Sequence, residues 1–301
     1  MRKISETSKG IICLVTSAFC FAMMAVCVKL AGDNIHFMQK AFFRNSVAFL
    51  IALVLLIREG AVKGKASLSV PKVCCFFLVL RSVTGSFGIF GNFYAIDRIC
   101  LADAAILNKM APFFAVIFSF FLIKEKIKLV PFIAIMMAFV GAMFVVKPSF
   151  NFEQTLPTLA GFVGGMGAGF AYACVRKLKS LGCNSKVIVL FFSAFSMLIS
   201  LPYMITSFDP MTLYQVLILC SAGVCAAGGQ FGITAAYYHA APRDISIYDY
   251  SQLIFSTMLG FFFFDQIPDR YSFIGYTIII SMAVLNFVWT KKNHEKEMTK
   301  L

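Results

Sequence analysis

Gly88…Gly91-Asn-Phe-Tyr-Ala95 lies over Gly229…Gly232-Ile-Thr-Ala-Ala236. Asp103 lies over Asp244 at the same spacing. Upstream, Phe42-Phe43 lies over Phe191-Phe192, and Gly10-Ile-Ile-Cys-Leu-Val-Thr-Ser-Ala-Phe19 over Gly161-Phe-Val-Gly-Gly-Met-Gly-Ala-Gly-Phe170. Glycine and aromatic matches at nearly constant spacing go beyond the shared hydropathy of any two polytopic segments. The chain reads as two related halves, and this reading decides the fold.

The medium around those halves follows from composition. The chain has 301 residues, of which 60% are apolar and 14% charged; ordinary domains run near about 45–50% and about 25%. Mean hydropathy is +0.84. So few polar side chains cannot cover a soluble fold of this size, and a disordered chain is excluded for the same reason. Lipid is the expected solvent. A spanning helix needs about 20 mostly apolar residues. The runs that qualify are Ile11–Ala31, Phe37–Ile57, Val73–Ile96, Leu101–Ile123, Val130–Val146, Leu159–Val175, Val187–Ile205, Tyr214–Tyr238, Ile245–Phe264 and Tyr271–Trp289. The first is long enough to span and reads as a span rather than a cleaved signal peptide. The expected fold is therefore an all-α membrane protein of ten transmembrane helices. The halves, residues 10–148 and 158–290, each hold five. Five is odd, so the second half enters the membrane in the opposite sense. Such inverted-topology repeats mark transporters that alternate access around a midplane site.

Most of the net charge of +13 sits in the loops. With the N-terminus inside, the inner segments hold Arg2, Lys3 and Lys9; Arg58, Lys63, Lys65 and Lys72; Lys124, Lys126 and Lys128; Arg176, Lys177, Lys179 and Lys186; Arg243; and Lys291, Lys292, Lys296 and Lys300. The outer loops hold Arg98, Lys147 and Arg270. This positive-inside asymmetry predicts cytoplasmic termini in a multi-pass protein of the plasma membrane, and it leaves no need for a nucleic-acid partner. The cysteines lie mostly in apolar runs with no CxxC pair, so they read as packed thiols and predict no metal site.

One stretch carries a family resemblance. Gly91-Asn-Phe-Tyr-Ala-Ile-Asp-Arg-Ile-Cys-Leu-Ala-Asp-Ala-Ala-Ile-Leu-Asn-Lys-Met-Ala-Pro112 runs on through Phe-Phe-Ala-Val-Ile-Phe-Ser-Phe-Phe-Leu-Ile-Lys-Glu125. It resembles the helix-three exit, short loop, Pro-containing helix four and closing acid of the drug/metabolite transporter superfamily, in its EamA-type members. The second half echoes it in Tyr238-His-Ala-Ala-Pro-Arg-Asp-Ile-Ser246, Gln252 and Asp265, and departs from it by placing Gln252 where the first half has Pro112. The resemblance implies a ten-helix carrier of small metabolites.

Charges inside spans are costly and functional by default. At about 1.5 Å per residue, Arg44 lies about 10 Å from the outer face, Lys109 about 12 Å from the same side, and Arg81 about 12 Å from the inner face. Asp249 lies shallower, about 6 Å in by the same rise. Three deep cations against one acid leave the cavity positive, which favours a carboxylate, phosphate or other anionic group and disfavours a lipophilic cation. Arg44, Arg81 and Lys109 are the expected substrate contacts, with Asn92, Asn108, Gln230, Tyr248 and Gln252 as orienting groups. Asp249 is the coupling candidate. Gly161, Gly165 and Gly169, and Gly85, Gly88 and Gly91, let backbones approach closely.

HExxH, P-loop and GxSxG motifs are absent, and His36, His239 and His294 form no cluster, so no enzyme, metal or cofactor is expected. A gradient, not ATP, should supply the energy, with a proton or sodium as coupling ion. The expectation is a secondary transporter of an anionic metabolite, acting as monomer or homodimer. Its rivals are a cation or lipophilic-drug exporter of the same superfamily and a membrane scaffold or sensor.

Overall fold

The computed structural model describes residues 5–32, 34–63, 70–96, 98, 107–125, 128–146, 155–265 and 268–298. Their secondary structure is helical. The ten longer helices are α1 (Glu6–Leu30), α2 (Phe37–Lys63), α3 (Lys72–Ile96), α4 (Ala111–Ile123), α5 (Leu129–Val146), α6 (Thr155–Ser180), α7 (Ser185–Thr206), α8 (Leu213–His239), α9 (Ser251–Phe264) and α10 (Arg270–Met298). Seven of them, α1, α2, α3, α6, α7, α8 and α10, are long and apolar enough to cross a membrane. Large apolar side chains point outward, Ile205 at 76% and Phe262 at 73% exposure. In water such a surface would drive association; against acyl chains it is the stable arrangement. The chain is an all-α, multi-pass membrane protein.

Local sequence signals set the helix ends. Ser5 caps α1 by accepting from the Ser8 amide at 3.1 Å, and Lys9 pairs with Glu6 one turn on. Asn184 caps α7, and Thr212 with Gln215 forms a capping box at the start of α8. Each cap satisfies amide donors that the helix itself leaves open.

Two helices depart from the sequence reading. Leu101 was the expected start of the fourth helix. Residues 101–106 lie outside the described part, Leu107 and Asn108 are helical, and Lys109 and Met110 form a turn before α4 begins at Ala111 with Pro112 in its first turn. Ile245 was the expected start of the ninth. There the chain makes one helical turn, Pro242–Ile245, then a 3-10 segment, Ser246–Tyr250, before α9 begins at Ser251. Hydropathy averaged over a span does not locate either break, because the few polar residues there are outweighed by the long apolar runs that follow. Asp97 and Asp103 lie outside the described residues.

The helices interlock between the halves. The most extensive contacts are α3 with α6, α1 with α8, α5 with α10, α2 with α7, and α4 with α6; α2 with α8 and α1 with α9 follow. Small residues make this possible. On α6, a methyl added at Gly169 would sit 2.7 Å from the Ala111 carbonyl and 2.8 Å from the Ala115 amide of α4, so these backbones touch. On α3, Gly88 packs against Gly164 and Ala168 of α6, and on α8 Gly232 packs against Cys13 and Ser17 of α1. Ser17 also donates to the Gly229 carbonyl at 2.6 Å. The described cysteines are free thiols.

Candidate functional site: a cationic cavity at the helix breaks

The breaks in α4 and α9 face each other. A broken helix exposes carbonyls that must find partners where water is scarce. Tyr250 donates its hydroxyl to the Lys109 carbonyl at 3.0 Å, and Lys109 Nζ donates to the Asp249 carbonyl at 3.3 Å. Asn286 of α10 donates to the Asp244 carbonyl at 2.9 Å, and Ser251 to that of Tyr248 at 2.7 Å. Lys109 also pairs with the Asp249 carboxylate at 3.0 Å and donates to Gln252 Oε1 at 2.7 Å. These bonds use all three ammonium protons of Lys109.

Beside this junction lies a cavity of about 150 Å³. Arg44, Arg81, Asn92, Asn108, Lys109, Gln230, Asp249 and Gln252 line it. All were picked out from the sequence, and the fold brings them together from α2, α3, α8, the first turn of α9 and the two breaks. Tyr248 is not part of the lining; its hydroxyl donates to the Ala283 carbonyl of α10 at 3.1 Å, so it holds the break rather than the cavity. Asp249 is not at a solvated mouth as its distance along a straight helix implied. It is 7% exposed, because the 3-10 segment carries it inward to Lys109.

The two arginines are held differently from the lysine. Arg81, 3% exposed, donates to Gln230 Oε1 at 3.2 Å and lies over the Phe192 ring at 3.9 Å. Its Nε is buried without a partner. Arg44 donates to Met24 Sδ at 3.3 Å and to Asn45 Oδ1 at 3.1 Å. Among the described residues neither arginine has a carboxylate within ion-pair distance. The lining is completed by residues the sequence reading did not single out, among them Phe21, Met24, Tyr172 and Phe192. Tyr172 stacks on Tyr237 at 4.8 Å, and Tyr237 meets Ser246 at 3.2 Å.

Contacts tie the bundle together at both ends. Where α1 begins, Arg176 pairs with Glu125 at 3.0 Å, Lys186 with Glu59 at 2.8 Å and His239 with Glu6 at 2.7 Å. Where α1 ends, Gln39 donates to the Asp209 carbonyl at 2.9 Å and accepts from the Asp209 amide at 2.9 Å, and His36 stacks on Tyr203. Among the described residues no three His, Cys, Asp or Glu side chains come together as a metal site would need.

Residues 8–147 match the EamA-like transporter family. A pseudopaline exporter of Pseudomonas aeruginosa is 28% identical over 94% of this chain and 97% of its own. An S-adenosylmethionine uptake transporter of Rickettsia bellii is 25% identical over 88% of each. A solved crystal structure, 16% identical, superposes with a TM-score of 0.80 over 95% of this chain and 98% of its own, so the fold is shared. The EamA-type resemblance read from the sequence is borne out.

The pairing of Lys109 with Asp249 makes a stability prediction. Asp249→Asn leaves a buried ammonium without its counter-charge and should cost about 3–5 kcal/mol. Lys109→Gln with Asp249→Asn should recover most of that loss in thermal unfolding of the detergent-solubilised protein. A single variant as stable as the parent would show that the pair contributes nothing to folding.

Proposed function

We propose that this chain, an EamA-type membrane transporter, is a secondary carrier of a small organic metabolite bearing a carboxylate or other anionic group. It works by alternating access around the cavity. The observation that carries the reading is the pair of buried arginines, Arg44 and Arg81, facing one cavity, neither with a carboxylate within ion-pair distance among the described residues. A guanidinium can hold a carboxylate by two parallel hydrogen bonds, and charge complementarity favours an anion there. Asp249 is already held by Lys109, so a lipophilic cation would find no free acid, which weighs against a cation exporter. Asn92, Asn108, Gln230 and Gln252 orient the substrate from the same walls.

In this reading the ten helices are ten spans, in repeats over residues 10–148 and 158–290 inserted in opposite senses. Exchange of the halves supports it: α1 with α8 becomes α6 with α3, and α4 with α6 becomes α9 with α1, and both members of each couple are extensive contacts. Loop charge puts both termini in the cytoplasm. Reporters fused after Glu59 and after Lys179 should then read cytoplasmic, and one after Phe208 external. An external signal at Lys179 would remove the inverted repeat.

The anionic substrate class is tested by thermal unfolding of the purified protein against a metabolite library. A ligand in excess stabilises according to its affinity. Acids should raise the unfolding temperature and organic cations should not; the opposite pattern would overturn the reading.

Asp249, which lines the cavity, is the coupling group: a proton or sodium takes its carboxylate when the bridge to Lys109 opens during the transport cycle, an exchange too small in scale to admit a lipophilic cation. The Lys109→Gln/Asp249→Asn protein keeps the fold without the charge. In proteoliposomes it should exchange substrate across the bilayer but no longer accumulate it under an imposed proton or sodium gradient. Unchanged accumulation would take Asp249 out of coupling.

A further inference from the structure

We infer that the transported substrate carries two negative charges, one for each buried guanidinium. The inference rests on the anionic reading above and narrows it. Of the four charged side chains that line the cavity among the described residues, Lys109 and Asp249 neutralise each other at 3.0 Å. The ammonium spends its remaining donors on the Asp249 carbonyl and Gln252, so it has none to offer a substrate. Arg44 and Arg81 are left. Both are buried, at 7% and 3% exposure. Each guanidinium has five N–H groups. Arg44 spends its described bonds on a thioether and an amide oxygen, and Arg81 on one amide oxygen, with Nε unpartnered. The Phe192 ring covers one face of Arg81, so an anion would meet its donors in the guanidinium plane.

A monoanion compensates one of these charges and leaves the other buried, at the cost of an unpaired ion in a low dielectric. A dianion compensates both. Two chemistries satisfy this: a short dicarboxylate, with one carboxylate at each arginine, and a phosphate monoester, whose dianionic head both arginines share. Phe21, Met24 and Tyr172 supply apolar wall for a short organic body. Removing either arginine relieves an uncompensated charge rather than breaking an ion pair, so Gln variants at these positions should remain folded.

The full-length protein in nanodiscs is titrated at constant ionic strength with succinate, glycerol 3-phosphate, butyrate and tetraethylammonium, and thermal unfolding is read. Succinate or glycerol 3-phosphate should bind at least about tenfold more tightly than butyrate, about 1.4 kcal/mol. Arg44→Gln and Arg81→Gln should each bring the preferred dianion down to the affinity of butyrate. Arg81→Lys, which keeps the charge without the bidentate fork, should retain part of the preference and serves as the check on fold. Preference for succinate alone indicates one carboxylate at each arginine, and for glycerol 3-phosphate alone a shared phosphate; both support the inference. Butyrate binding as tightly as the dianions, or a preference that survives Arg44→Gln, overturns the dianion and leaves the anionic carrier standing. Stabilisation by tetraethylammonium alone overturns both, and no response to either dianion overturns the inference.

Discussion

The salt bridge between Lys109 and Asp249 is the contact on which the rest of the site depends. It joins the two places where a helix is interrupted, one in each half of the chain. Interrupted helices carry carbonyls that hydrocarbon cannot solvate. Here each break is satisfied partly by the other: Tyr250 reaches back to the Lys109 carbonyl while Lys109 reaches the Asp249 carbonyl and carboxylate. Charge and backbone are thus solved together. Each break supplies a donor or an acceptor to the other.

Close helix packing positions everything else. Gly169 lets α6 lie against the backbone of α4 just after the first break, which fixes where Lys109 stands. Gly88 and Gly91 bring α3 onto α6 in the same way, and Arg81 projects from the same helix into the cavity. Contacts between halves dominate those within them, so the sequence repeat is not a pair of separately packed units. A relative motion of the two halves would slide surfaces lined by small residues, which resist such motion least.

Much of this was legible in the sequence. Apolar runs located the helices because lipid demands them, and the glycine matches aligned the halves. Arg44, Arg81 and Lys109 stood out because a charge deep in an apolar run is expensive, about 2.5–3.5 kcal/mol on insertion scales. What stayed hidden depended on backbone shape. The runs through Leu101–Ile123 and Ile245–Phe264 look continuous in hydropathy, so the breaks escaped notice and the depth of Asp249 was counted along a straight helix. Its pairing with Lys109 spans the two halves and leaves no trace at any sequence spacing. Phe21 and Phe192 were invisible for another reason: among 35 phenylalanines, in a chain where most face lipid or core, nothing marks two as cavity walls. Phe192 did appear in the Phe-Phe match between halves, but only as evolutionary bookkeeping of the repeat, not as the ring that orients Arg81.

The contrast between the lysine and the arginines divides their labour. An ammonium is a compact charge that three acceptors can saturate, and at Lys109 three acceptors do. A guanidinium is a broad planar fork that one or two amide oxygens cannot saturate. Had Asp249 faced Arg81 instead, the cavity would hold a bidentate internal pair, one free guanidinium and one free ammonium, a less directional anion site. By confining the acid to the lysine at the helix breaks, the fold keeps the one acid among the described lining residues out of ion pairing with the two forks. The positive potential of the cavity then comes from groups whose geometry matches carboxylate and phosphate, while the charge that might have quenched it is spent on holding the breaks together.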